Sequence, residues 1–84
     1  MVTVKIPALF YKDHLNRGCG QTGKELGKVG LNQVLVSLDD EAFKDLLSDA
    51  DCYADMKNSR EDYSANRALV DSAIRTLKIL KGLK

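Results

Sequence analysis

Gly18-Cys19-Gly20-Gln21-Thr22-Gly23-Lys24 fits the spacing G-x-x-x-x-G-K of a phosphate-binding loop, in which backbone amides and a lysine cradle an anion. To hydrolyse a nucleotide, such a loop needs a buried strand before it, a helix after it and a hydroxyl next to the lysine for magnesium. Here Glu25 takes the hydroxyl position and would set a negative charge beside the phosphates. The preceding Asp13-His14-Leu15-Asn16-Arg17 is too polar for a central strand, and Gly27 and Gly30 interrupt any helix that would follow. No later strand offers the second carboxylate that would complete a magnesium site. Nucleotide hydrolysis is therefore not expected, and what remains is a passive anion site made of loop amides, or a mobile basic loop.

The other chemistry-bearing residues are sparse. His14 is the single histidine, and the stretch from His14 to Cys19 supplies neither an orienting third group nor an oxyanion hole for a nucleophile. His14, Cys19 and Cys52 lack the paired short spacings of a zinc site, and the acidic stretch after residue 39 lacks the spacing of a calcium loop. Asp51 and Asp55 flank Cys52 and disfavour its thiolate. The expectation is a protein without catalytic residues, cofactor or metal. Its candidate contact residues for a partner are Tyr11, Lys12, Asp13 and His14, together with the loop cations Arg17, Lys24 and Lys28. For Tyr11–His14 a plainer reading competes, in which Phe10 and Tyr11 anchor the segment on the core while Asp13 and His14 pair locally.

Simple periodicities position these residues. Val2, Val4 and Ile6 alternate with Thr3 and Lys5 as in a half-buried strand, and Pro7 has no N–H to continue the ladder. Ala8 to Arg17 reads as a short helix with Ala8, Tyr11 and Leu15 on one face and Gly18 as its stop. Gln33–Leu38 is the clearest strand, with Thr22–Val29 as its hairpin partner around Gly30-Leu31-Asn32. Asp39 caps a helix whose stripe runs through Phe43, Leu46, Leu47, Ala50, Tyr53 and Ala54 to about Met56. A second long helix starts near Ser59, where Ser59 and Asp62 write a capping box, and ends at Gly82. Its apolar face is Tyr63, Val70, Ala73, Ile74 and Leu77, widened by Leu69 and Leu80, while Ile79 points away from it.

The resulting expectation is an α+β fold, with a small antiparallel sheet of two or three strands packed against two antiparallel helices. Residues 1–84 form one small domain. Residues 1–38 make the strand and hairpin part with its glycine-rich loop over 18–30, and residues 39–84 make the helical hairpin. A chain of this size buries only about 60–65% of its unfolded surface, so a homodimer or a permanent partner would add to a thin margin of stability. The net charge of +1 hides a segregation: +3 over residues 1–31, −6 over residues 32–64 and +4 over residues 65–84. Either an acidic helix packs beside a basic one, or each face meets a partner of opposite sign. With two cysteines, no charged segment leading into an apolar run at the start and no membrane-length apolar stretch, the expected setting is reducing and cytoplasmic, without a membrane partner.

Two stretches resemble known patterns. Ile6-Pro7-Ala8-Leu9-Phe10-Tyr11-Lys12-Asp13-His14 and Leu46-Leu47-Ser48-Asp49-Ala50-Asp51-Cys52-Tyr53-Ala54-Asp55 resemble the IPxxFYxDH and LLxDAxYYAD signatures of a family of small phage and bacterial proteins. Cys52 stands in place of the first tyrosine of the second signature. The resemblance implies a small intracellular or phage-encoded protein and transfers no active site.

The leading functional expectation is a non-enzymatic interaction protein that binds and modulates a host or viral protein. The alternative is a dimeric DNA-binding regulator, because strand Gln33–Leu38 followed by two helices resembles a ribbon-helix-helix unit. Against it, the outward face Gln33, Leu35 and Ser37 carries no cation, and the helix that follows brings dense negative charge towards phosphate. Nucleic acid thus ranks behind protein as a partner, and a virion component is a third class. For the lysine of the loop, the expected outcome is that purified protein turns over ATP at background and Lys24→Ala leaves that rate unchanged. A Lys24-dependent rate in a coupled phosphate-release assay would overturn this reading.

Overall fold

The computed structural model describes residues 1–18 and 23–83. Three strands, β1 (Val2–Pro7), β2 (Lys24–Val29) and β3 (Gln33–Leu38), form one antiparallel sheet in the order β1-β3-β2. Four helices, α1 (Ala8–Arg17), α2 (Asp40–Asp55), α3 (Arg60–Ala65) and α4 (Arg67–Gly82), complete an α+β fold, with a 3₁₀ turn over Met56–Asn58 between α2 and α3.

The alternating residues of the two best strands build one side of the core. Val2 pairs with Leu38, Val4 with Val36 and Ile6 with Val34, so all six side chains share a face. That face packs against Phe10 and Tyr11 of α1, Ala42, Leu46 and Ala50 of α2, and Ala73 and Leu80 of α4. The opposite face carries the exposed Thr3 and Lys5 beside the half-buried Leu35 and Ser37. β3 is hydrogen-bonded along both edges and has none left for another chain.

Pro7 is the residue at which strand becomes helix. The β1–β3 register runs through Pro7 itself, opposite Gln33, and with φ −58° and ψ 127° Pro7 then serves as the N-cap of α1. The next amide, Ala8 N–H, donates to the carbonyl oxygen of Asn32 at 2.9 Å, fastening the start of α1 to the β2–β3 turn. Gly18, at φ +62°, stops the helix in the left-handed conformation.

The buried face of α1 differs from the expected Ala8, Tyr11 and Leu15. Pro7, Phe10, Tyr11 and His14 are buried, a complete i, i+3, i+4, i+7 stripe, whereas Leu15 is exposed. A histidine completes the stripe, so hydropathy alone rotates the helix to the wrong side.

The Asp39 side chain caps α2 as expected, accepting from the Ala42 amide at 2.8 Å. The fully buried face of α2 is Ala42, Leu46 and Ala50, shifted from the expected stripe, of which Phe43, Leu47, Tyr53 and Ala54 are only half-buried. The long helix expected from Ser59 is instead two helices broken at Asn66 (φ −126°, ψ 31°). The Asn66 side chain donates to the Asp62 carbonyl at 3.2 Å, a local bond that competes with helix continuation. Ser59 makes no side-chain capping bond, so the capping box is not formed. α4 alone supplies core residues: Val70, Ala73, Thr76 and Leu80 are buried, with the Thr76 hydroxyl satisfied by the Ser72 carbonyl at 2.9 Å. Ile79, expected to point away, is half-buried against the core.

Gly23 carries the closest approach in the sheet. At φ +74°, a Cβ there would lie 2.5 Å from Leu38 Cδ2 and 2.7 Å from the Ser37 carbonyl oxygen. Gly30 has a similar φ of +69° but open space around it. Gly23→Ala should therefore cost about 2–4 kcal/mol, from strain and overpacking together, and Gly30→Ala about 1–2 kcal/mol, from backbone strain alone. Urea unfolding of both variants checks the order, and equal losses would refute the packing account.

Candidate functional site

The densest polar constellation joins α1 to α2. His14 and Arg17 lie three residues apart on α1 and so face the same way. Asp49 projects from the flank of the α2 stripe, between Leu46 and Tyr53, and receives both. His14 Nδ1 donates to Asp49 Oδ2 at 2.6 Å, and Arg17 Nη1 donates to Oδ1 at 2.5 Å while Nη2 reaches Oδ2. This is a two-pronged guanidinium–carboxylate pair with an imidazole on its second oxygen. The third guanidinium nitrogen of Arg17, Nε, donates to Asp13 Oδ2 at 2.6 Å, and the Tyr53 hydroxyl donates to the same oxygen at 3.0 Å.

Aromatic contacts close the gaps in this network. The Arg17 guanidinium lies 4.6 Å from the centre of the Tyr53 ring, a cation–π contact. Phe10 stacks on His14 at 6.3 Å and meets Tyr53 edge-on at 6.0 Å. The two signature-like stretches thus interlock: Phe10, Asp13 and His14 of the first touch Asp49 and Tyr53 of the second.

Electrostatics follow from this packing. Burial works against the Asp49 carboxylate, but the hydrogen bonds from Arg17 and His14 outweigh it and hold its pKa below the ordinary 3.8. The bond to Asp49 in turn raises Arg17, with Asp13 adding to it against the cost of burial. Tyr53 is raised above 10.0, first by burial and then by its bond to Asp13. Tyr11 is raised by burial and by the charge of Glu25.

An imidazole whose Nδ1 is held by a carboxylate is the arrangement of a general base or a metal ligand. In this chain the other nitrogen faces inward. His14 is 0% exposed and its Nε2 has no hydrogen-bond partner among the described residues. A buried unpaired nitrogen costs about 1–3 kcal/mol, which the Asp49 bond and the Phe10 stack help to offset. Among the described residues no group of three His, Cys, Asp or Glu is placed to hold a metal ion. The constellation works as a pin between two helices.

The seven sequence-predicted contact residues do not form one surface. Tyr11 and His14 are buried in the core, so neither presents a contact face. Asp13 and His14 do not pair with each other: Asp13 holds Arg17 and Tyr53, and His14 holds Asp49. Arg17 is committed to two carboxylates. Lys12 is exposed on α1. Lys24 and Lys28 are exposed on β2, but the bulge between Glu25 and Gly27 separates them. Lys24 lies opposite Ser37 on the outer face and Lys28 opposite Val34 on the inner one.

The segment that resembles a phosphate loop enters from helix α1 and leaves as strand β2, the reverse of the strand-to-helix order that aims amides at phosphate. Cys19, Gly20, Gln21 and Thr22 of that segment lie outside the described residues. Cys52 is an exposed free thiol on α2, beside a shallow hollow lined by Arg17, Asp49, Tyr53 and Met56. No described helix is long and apolar enough to cross a membrane.

Sequence reasoning missed Asp49 and Tyr53, the partners that immobilise the α1 residues. The available signal was the placement of Asp49 beside an apolar stripe, facing a chain segment with a histidine and an arginine at i and i+3. No family model, no curated protein and no solved structure matches this chain.

Because folded Asp49 binds its proton less tightly than the unfolded chain does, it stabilises the fold above its ordinary pKa of 3.8, and that contribution is lost as pH falls through the lower folded value. Asp49→Asn should cost about 1.5–3 kcal/mol at neutral pH, the scale of a hydrogen bond to a charged partner. Urea unfolding should show the gap to the parent protein shrinking below about pH 3, where the parent carboxylate also protonates. A gap that is constant with pH would refute the charged role.

Proposed function

We propose that this protein is a non-enzymatic interaction protein that binds another protein and modulates it. The observation that carries the proposal is the disposition of its chemistry-bearing side chains. His14, Asp49, Arg17, Asp13 and Tyr53 are bonded to one another between α1 and α2, while Leu9, Leu26 and Leu31 stand exposed outside that network. Reactive groups are spent on holding the fold, and apolar side chains are left facing outward, the distribution of a recognition module. A cytoplasmic setting, expected from the cysteine usage, and a phage or bacterial source, implied by the resemblance of the two stretches, belong to the same proposal.

The DNA-binding alternative draws less support. A ribbon-helix-helix dimer pairs the strand before its two helices with the same strand of a second copy. That strand here is β3, and both its edges are already occupied. The lysines of β2 lie on opposite faces and do not make a continuous basic ribbon.

The test is affinity capture on the immobilised full chain from lysate of its native host, at low and moderate salt, followed by purification of whatever is retained. The expected result is a stoichiometric protein whose own activity or assembly changes when the chain is added. Retention of nothing at either salt, or of nucleic acid in a strongly salt-dependent way, would sink the proposal.

A further inference from the structure

At one end of the sheet, the β2–β3 turn, the β1–α1 junction and one side of α4 enclose a groove. It consists of two adjoining hollows of about 350 and 360 Å³ that share Pro7, Leu31, Asn32 and Arg75. Ile79 borders the first hollow, and Leu9 and Lys12 border the second. Leu31 is 99% exposed and Leu9 49% exposed. A single exposed leucine needs no explanation. Two on one groove, one of them in a turn where polar residues serve better, leave apolar surface that the fold itself does not use.

The turn beside the groove is tied to α1. The Ala8 amide bonded to the Asn32 carbonyl at 2.9 Å holds the turn against α1, and Gly30 at φ +69° sets the turn's path. Leu31 is therefore presented from a clamped backbone, which lowers the ordering cost of association. Its charge is also uncompensated. Lys12 and Arg75 are exposed and have no hydrogen-bond or ion-pair partner among the described residues. The acid one turn before Arg75, Asp71, accepts from the Tyr63 hydroxyl at 3.0 Å.

The geometry points to this groove as the docking site for a short acidic segment of the partner protein, with an aliphatic or aromatic side chain seated between Leu9 and Leu31 and carboxylates reaching Arg75 and Lys12. This rests on the protein-binding reading above and names its surface and the partner's chemistry. Nucleic acid fits the groove less well, because among the described residues its lining offers two cations and no aromatic ring on which a base could stack.

The test is a selection of random peptides of about twelve residues, displayed and panned on the full chain, followed by fluorescence-polarisation titration of the enriched peptides. The expected winners carry acidic residues next to a large apolar one. They should lose about tenfold or more in affinity on Arg75→Glu and on Leu31→Asp, the scale of a lost interfacial charge pair or anchor, and bind Lys24→Glu unchanged. Both groove substitutions are at exposed positions, and circular dichroism confirms that each variant is folded. Winners that ignore Arg75→Glu and Leu31→Asp would overturn the groove while leaving the protein-binding reading to its own capture test. Winners without acidic residues, no enrichment at all, tighter binding of a random single-stranded oligonucleotide, or self-association that Arg75→Glu abolishes would also overturn it.

Discussion

The Asp49 carboxylate accepts hydrogen bonds from two side chains of a helix that could not hold itself. α1 is ten residues long, below the length at which an isolated helix is stable in water, and it lacks a side-chain cap at its start. It is held by the Pro7, Phe10, Tyr11 and His14 stripe against the core, by the bonds from His14 and Arg17 to Asp49, and by the Tyr53 hydroxyl on Asp13. Once α1 is placed, the turn between β2 and β3 is placed as well, because the first amide of the helix is bonded to it. One acidic side chain on α2 thus sets the position of the hairpin at the far end of α1. The pin also fixes the register between the two halves of the chain, since His14 and Asp49 lie 35 residues apart.

The charge segregation in the sequence finds part of its reason here. Arg17, the last residue of α1, is drawn onto the acidic face of α2, and α2 packs along the more basic α4. The bulk of the acidic excess on α2 stays in water, with Asp40, Glu41, Asp51 and Asp55 all exposed. Exposed charges of this kind contribute little to stability individually. Lys12 and Arg75 stand apart from this internal pairing.

Much of the architecture was readable before any coordinates. The alternation of Val2, Val4 and Ile6, the Asp39 cap and the Gly30-Leu31-Asn32 turn each follow from local rules, and each sits where those rules put it. What was not readable comes from polar residues in structural roles and from one irregularity of register. His14 completes a buried stripe, Asn66 breaks a helix by bonding to its own backbone, and a one-residue bulge turns Lys28 to the other face from Lys24. Periodicity counts a polar residue as outward, and no local pattern reports that its partner waits 35 residues away. The candidate site suffered most, because the residues with the most reactive chemistry were those the fold had consumed.

The bulged strand β2 has a consequence for the behaviour of the chain in solution. It is exposed along nearly its whole length, and its substantial contacts are with β3 alone. β3, Gln33-Val34-Leu35-Val36-Ser37-Leu38, is uncharged and rich in β-branched and aliphatic residues, the composition of segments that stack into fibrils when their edges are bare. The free side of β2, with Lys24, Lys28 and an irregular register, is a poor template for another strand. The least anchored strand of the sheet is therefore the one that caps its stickiest edge, and any fluctuation that peels β2 away bares an edge on which further chains can assemble.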